Sequence, residues 1–192
     1  MNRRHFTVAA GTALLAPGLA RPETPGSALV ALRTGGCALL MRHATTEPGI
    51  GDPPGYRLDA CSSQRNLSPA GREQARRAGA WLAQQGVVFD AVFSSRWCRC
   101  VDTASLMFPG QPVEVLEALN SFFDDGSARE RQTAALRSWL GTLEGSRRVA
   151  LVTHQVNILA LTGDNLSMGG AVVAQPDRRG GVRSVGRIDL GG

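Results

Sequence analysis

Four short apolar runs, separated by stretches of helical period, restrict this chain to few architectures. They are "CALLM" (37–41), "VVFDAVFSS" (87–95), a strand within "PVEVLEAL" (112–119), and "RRVALVTHQ" (147–155). A continuous apolar run suits a strand covered on both faces, because a strand with one wet face would alternate. Between the runs, Ser68 is placed to cap a helix with Pro69 in its first turn, and Ala75, Ala78 and Leu82 share one face before Gly86. A second helix is expected over about 96–107. Leu136, Trp139, Leu140 and Leu143 fall at helical spacing ahead of Gly145, and residues 155–162 read as a further helix. "GGAVVAQ" and "SVGRIDL" close the chain as two short strands. Strands alternating with helices predict an α/β protein, a three-layer α/β/α sandwich with a mostly parallel central sheet.

The 192 residues suffice for one domain with a full core, expected over 36–192. Residues 21–35, with Pro22, Pro25 and Gly35-Gly36, read as a leader into it. Residues 1–20, "MNRRHFTVAAGTALLAPGLA", have a basic start, an apolar run and small residues at Gly18 and Ala20. Arg3-Arg4 with Phe6 resembles a twin-arginine export signal. The apolar run is too short to span a bilayer, and no cysteine follows it to carry a lipid. The expected product is periplasmic or secreted, without a stable membrane anchor. In an oxidising compartment Cys37, Cys61, Cys98 and Cys100 can pair, and Cys61 with Cys98 or Cys100 is the expected bridge.

The formal charge is +5, and all 21 basic residues are arginine. They are scattered apart from four adjacent pairs, without the basic run and interleaved aromatics of a nucleic-acid binder. No partner of that kind is expected. Residues 47–64, rich in Pro, Gly and Asp, form a long loop of the sort that carries function.

The first strand stops on Arg42-His43, the second on Ser94-Ser95, the fourth on Thr153-His154. In parallel sheets ligands bind at the carboxyl ends of strands. His43 and His154 are the only histidines beyond the amino-terminal segment, and both sit there. Imidazole beside guanidinium suits a phosphoryl group. The guanidinium fork matches phosphate oxygens, and a neutral imidazole can attack phosphorus and carry it covalently. Phosphoryl transfer otherwise needs mainly positioning and charge stabilisation.

"MRHATT" resembles the Arg-His-Gly motif of the histidine phosphatase superfamily, the group that includes phosphoglycerate mutases and acid phosphatases. "NLSPAGREQA" (66–75) is similar to its Leu-Thr/Ser-x-x-Gly-x-x-Gln-Ala segment. "SSRWCRCVDTA" (94–104) resembles its Ser-Ser-x-x-x-Arg-x-x-x-Thr-Ala segment, with Arg96 where proline is frequent. "LVTHQ" (151–155) resembles the segment with its second histidine. The resemblance implies a phosphatase with His43 as nucleophile and with Arg42, Arg99 and His154 completing the phosphate pocket. It implies a small phosphorylated substrate, no cofactor and no metal.

Two departures stand out. Ala44 replaces the glycine usual after the nucleophile, and alanine resists backbone angles that glycine permits. Ser121 and Gln155 occupy the places where the family's branches carry the acidic proton donor, which leaves Glu117 and Asp124 as the nearby candidates. Without such a donor, a low-turnover phospho-ligand binding or signalling module is the alternative function. The stretches "PGIGDPPGYRLDACSSQRNLS" and "LNSFFDD" further resemble a narrower group near bacterial lipopolysaccharide core heptose phosphatases, which would make the substrate a sugar phosphate. Arg57 or Arg65 could then reach that substrate.

Overall fold

The structure, a computed structural model, describes residues 26–177 and 180–191. The export segment 1–20 lies outside the described residues. Six strands form one sheet: β1 (Cys37–Arg42), β2 (Ala91–Ser94), β3 (Val113–Val115), β4 (Arg148–Thr153), β5 (Ala171–Pro176) and β6 (Val182–Ile188). Their spatial order is β3-β2-β4-β1-β5-β6. The first four run parallel, and β5 runs against both β1 and β6. The sheet is mixed and mostly parallel, as the order of elements predicts.

The apolar runs are continuous because helices cover both faces. Leu39 and Met41 of β1 point into a core shared with helices α1 (Ser27–Thr34), α2 (Pro69–Gln84) and α3 (Cys98–Met107). Ala38 and Leu40 point the other way, onto α4 (Arg129–Leu140) and α5 (Gln155–Thr162). A period of two along one strand thus feeds two cores. Among the described residues no helix is long and apolar enough to cross a membrane.

Ser68 caps α2 as expected: its Oγ accepts from the Gly71 N–H at 3.1 Å, with Pro69 at the first helical position. Two segments differ from expectation. The stretch read as a leader contains α1, whose Ala28, Ala31 and Leu32 are buried and whose Ser27 Oγ donates to Val185 O on β6. Strand β2 starts only at Ala91, because Val87 N–H closes the end of α2 onto Leu82 O and Val88 faces solvent. Strand β3 lies within 112–119 as expected, ending at Val115 ahead of a short 3-10 helix at 117–119.

Cys61 and Cys98 form a disulfide; Cys37 and Cys100 are free and buried. Burial pushes the Cys37 thiol up to about 11 and the Cys100 thiol up to about 12. Cys100 packs under His154, its sulfur donating to Thr153 O.

Candidate active site

Strands β1, β4 and β2 lie side by side, with Arg42 opposite Thr153 and Ser94 opposite Val152. Their carboxyl ends therefore finish level, and the residues just past each strand are delivered to one place. His43 and His154 meet there with ring centroids 5.6 Å apart. Both are buried. A cavity of about 210 Å³ opens above them, lined also by Arg42, Arg65, Arg99 and Asp52.

His43 is held on three sides. Its N–H donates to Thr153 O at 3.0 Å, and its carbonyl accepts from Gly169 N–H. The ring Nδ1 lies 2.9 Å from Ala44 O. A carbonyl only accepts, so the proton sits on Nδ1 and the lone pair on Nε2 is free. Burial is the main cause that lowers the His43 pKa, to about 3; the Ala44 hydrogen bond opposes it, and the charges of Arg99, Arg42 and Arg65 reinforce it. The imidazole is neutral at any ordinary working pH.

His154 Nε2 lies 2.8 Å from Ser95 Oγ. That hydroxyl already accepts from Trp97 N–H at 3.2 Å, which leaves its own hydrogen for Nε2. His154 then carries its proton on Nδ1. Its pKa is driven well below normal, first by burial and then by His43 and the arginines. Trp97 packs edge-on against the ring, centroids 5.1 Å apart.

The motif segments supply the scaffold for this loop. Thr103 Oγ1 accepts from Ala44 N–H at 3.0 Å and donates to Arg99 O at 2.7 Å. Gln74 Oε1 accepts from the Thr45 N–H and hydroxyl, while its Nε2 donates to Met168 O. Ala44 is fully buried, and no described residue other than glycine has a positive φ. The methyl group in place of the usual glycine is accommodated in ordinary backbone.

Three guanidiniums line the cavity. Arg42 donates through Nη1 to Leu166 O, and Arg65 donates to Gly51 O, Gly49 O and Thr46 Oγ1. Arg99 gives Nη1 to Asp52. The Nε groups of Arg42 and Arg99 are buried without a hydrogen-bond partner among the described residues. Burying such donors unpaired is costly unless a ligand takes them up. Burial and the neighbouring Arg65 and Arg99 lower the Arg42 pKa, though a guanidinium stays charged. Two buried neutral imidazoles and three cations make a cradle for a tetrahedral anion.

Residues 38–123 match the family model of the histidine phosphatase superfamily (branch 1). That match includes His43, Arg42 and Arg99. Over that stretch the chain is similar to the histidine phosphatase superfamily. The fold agrees. The protein histidine phosphatase SixA complexed with tungstate superposes with a TM-score of 0.58 at 20% identity, covering 80% of this chain and 97% of that one. A phosphoserine phosphatase in complex with 3-phosphoglyceric acid from Entamoeba histolytica gives 0.60 at 17% identity, covering 80% and 96%. The alpha-ribazole phosphatase from Shigella flexneri gives 0.58 at 16% identity, covering 80% and 96%. No curated protein matches the chain by sequence.

Of the six sequence candidates, Arg42, His43, Arg99 and His154 converge on this cavity, and Asp124 lines its rim. Glu117 does not join them. It is an exposed side chain held by Arg96 Nη1 at 3.6 Å and Asn120 Nδ2 at 2.5 Å. Arg96, in turn, uses its N–H to hold Asn120 Oδ1, a bond that the family's proline could not make. Arg57 stays in solvent beside Asp59. Asp52 and Ser95 bear directly on the site, yet sequence reasoning does not reach Asp52 and assigns Ser95 no role beyond its place at a strand end. Asp52 sits in a loop whose composition distinguishes no one residue, and Ser95 reads as the ordinary polar end of a strand.

Proposed function

We propose that the chain is an exported, metal-independent phosphomonoesterase acting through phosphohistidine on His43, with a sugar phosphate as substrate. One observation carries this reading: the His43 and His154 rings, centroids 5.6 Å apart, meet on the floor of a cavity ringed by three arginines. The Nε2 lone pair of His43 attacks phosphorus as the bond to the leaving oxygen breaks. Arg42, Arg65 and Arg99 balance the charge on the equatorial oxygens, and His154 Nδ1–H donates to one of them. Water then attacks the phosphorus of phosphohistidine, and phosphate leaves as the imidazole recovers its lone pair.

The leaving alkoxide requires a proton. Two carboxyl groups line the cavity, Asp52 and Asp124. Asp52 is locked to Arg99, so Asp124 is assigned as the donor, held by Tyr56 Oη at 3.2 Å. In the second step the same group takes the proton of the attacking water.

Support for a sugar comes from the rim. Phe123 and Ile50 are 58% and 91% exposed where they line the opening. An exposed aromatic face beside Ser121, Asp124 and Gln155 offers stacking and hydrogen bonding together, as a sugar ring requires. Support for export comes from the Cys61–Cys98 disulfide, which persists in oxidising compartments. The SixA relative was captured with tungstate, itself a tetrahedral oxyanion. A low-turnover phospho-ligand binder is favoured by one feature, Ser121 lining the cavity where a carboxylate is usual.

The test is hydrolysis of a panel of sugar phosphates by the wild-type protein and His43→Ala, with and without a chelator. Chelator-resistant turnover that disappears in the variant, with acid-labile phosphate trapped on the wild-type chain, is the expected result. Tight phosphate binding without turnover would establish the binding module instead.

A further inference from the structure

Asp52 lies in the long loop 47–64, yet its side chain is only 2% exposed. Its two oxygens accept from Arg99 Nη1 at 2.8 and 3.0 Å. Oδ1 also takes the main-chain N–H of Arg65 at 2.9 Å, and Oδ2 takes the indole N–H of Trp97 at 2.9 Å. Burial alone would push this carboxyl up. The hydrogen bonds from Arg99 and Arg65, the charge of Arg99 and the Trp97 indole outweigh that effect and hold it below its ordinary value. Asp52 is therefore an ionised anion inside a site built for anions.

Its geometry explains the arrangement. A guanidinium has five N–H groups in one rigid plane. Asp52 occupies only the Nη1 arm, and Arg65 O takes a weaker contact at 3.4 Å from the same atom. Gripping one arm from a fixed anion sets the direction of the others. The carboxylate also cancels one of the three cationic charges around the cavity.

The loop is also pinned by Arg65, which donates to Gly49 O and Gly51 O, by Tyr56 Oη on Asp124, and by Tyr56 and Leu58 packed against the core. Its outer part carries a single 3-10 turn, Cys61–Ser63, and the exposed Arg57–Asp59 pair. A further attachment lies at the start of α3. Gln64 Oε1 accepts from Cys98 N–H at 3.0 Å, and the disulfide joins Cys61 to Cys98, the residue beside Arg99. Cys61 is exposed, so a reductant can reach this bridge.

We propose that Asp52 is a positioning residue that aims Arg99 at the phosphoryl group, and that the Cys61–Cys98 disulfide latches Asp52 in place, so that the oxidised chain alone has a complete phosphate cradle. The proposal rests on the phosphatase reading above. Loss of Asp52 affects the two states of the phosphoryl group differently. The resting tetrahedral anion gains from the extra positive charge. The five-coordinate transition state loses a correctly aimed guanidinium, and misplacement of about 1 Å costs roughly 10²-fold in rate. A dithiol reductant gives two electrons and two protons to the bridge, leaves as its own cyclic disulfide, and should reproduce the same signature.

The experiment uses the oxidised chain, with aryl phosphate turnover, inorganic phosphate affinity and orthovanadate affinity as readouts. Vanadate takes up the five-coordinate geometry of in-line transfer and reports the aim of Arg99 without turnover. In Asp52→Asn, kcat and vanadate affinity should each fall about 10²-fold while phosphate affinity holds or rises. Asp52→Glu should restore part of both losses. A Cys61→Ser/Cys98→Ser variant should show the same split, and dithiothreitol should slow the wild type but add nothing to Asp52→Asn. A parallel fall in phosphate and vanadate affinity, or an unchanged vanadate-to-phosphate ratio, overturns the positioning role. Full activity of the reduced wild type overturns the latch, and this arm needs no variant to fold. A wild type that binds vanadate with the expected ratio but never turns over would sink the phosphatase reading and leave the positioning role standing.

Discussion

The Nδ1 nitrogen of His43 donates to the carbonyl oxygen of its own neighbour, Ala44, across 2.9 Å. One short contact within the chain thereby determines which nitrogen is free to attack. The bond belongs to the turn that follows β1, and that turn is itself held by Thr103 and Gln74 from two helices. The tautomer is therefore a property of the packing.

The same burial that keeps His43 neutral makes its contribution to stability depend on pH. The native imidazole resists a proton down to about pH 3, whereas the unfolded one accepts it near 6.5. Between these values unfolding takes up a proton. Stability is complete above about 6.5 and declines as pH falls toward 3. His154, shifted the same way, adds to the slope. Each fully linked histidine contributes at most about 1.4 kcal/mol per pH unit. Urea unfolding between pH 6.5 and 5, above the carboxylate range, should show this decline. His43→Gln should make it about half as steep, and an unchanged slope would contradict the burial of a neutral His43.

Much of this site was legible because backbone pattern and chemistry coincide at strand ends. An apolar run that stops on histidine marks both a strand and its carboxyl edge, so His43 and His154 could be paired before any coordinates. Ser68 and Pro69 announce α2 because capping is local chemistry. Asp52 was not legible, since its partners Arg99, Trp97 and Arg65 lie 13 to 47 positions away and nothing local marks it. Helix α1 was hidden for a related reason: its buried alanines and Leu32 acquire meaning only against the core they cover. Glu117 was near the right place in sequence, but Arg96 and Asn120 hold it outside the cavity.

Asp124 is placed at the rim and not on the floor, which ties its importance to the leaving group. Expulsion of an aryl oxide needs little protonation, whereas an alkoxide needs a full proton. Asp124→Asn should slow hydrolysis of an alkyl or sugar phosphate by about 10²- to 10⁴-fold and leave an aryl phosphate within a few-fold of wild type. Steady-state rates on the two ester types decide it. Equal losses on both would mean that Asp124 contributes to binding and not to proton transfer.

Gly71 shows how far the site reaches into the scaffold. It sits in α2 with ordinary helical backbone, where alanine is intrinsically favoured by about 1 kcal/mol. Yet a Cβ there would lie 1.8 Å from the carbonyl oxygen of Thr45 and 2.7 Å from its carbon. Backbone cannot swing aside as a side chain can, so α2 or the 43–46 turn must shift. Overpacking of this kind costs about 1–3 kcal/mol, enough to outweigh the helix preference. Thr45 is two residues from His43, and its N–H is pinned by Gln74. Gly71→Ala should therefore lower the melting temperature and reduce kcat together. Gly126→Ala, whose added methyl meets nothing within 4 Å, is the control and should change neither by much. Calorimetric melting alongside aryl phosphate turnover checks both, and a Gly71→Ala protein more stable than wild type would show that the helix preference wins over the contact.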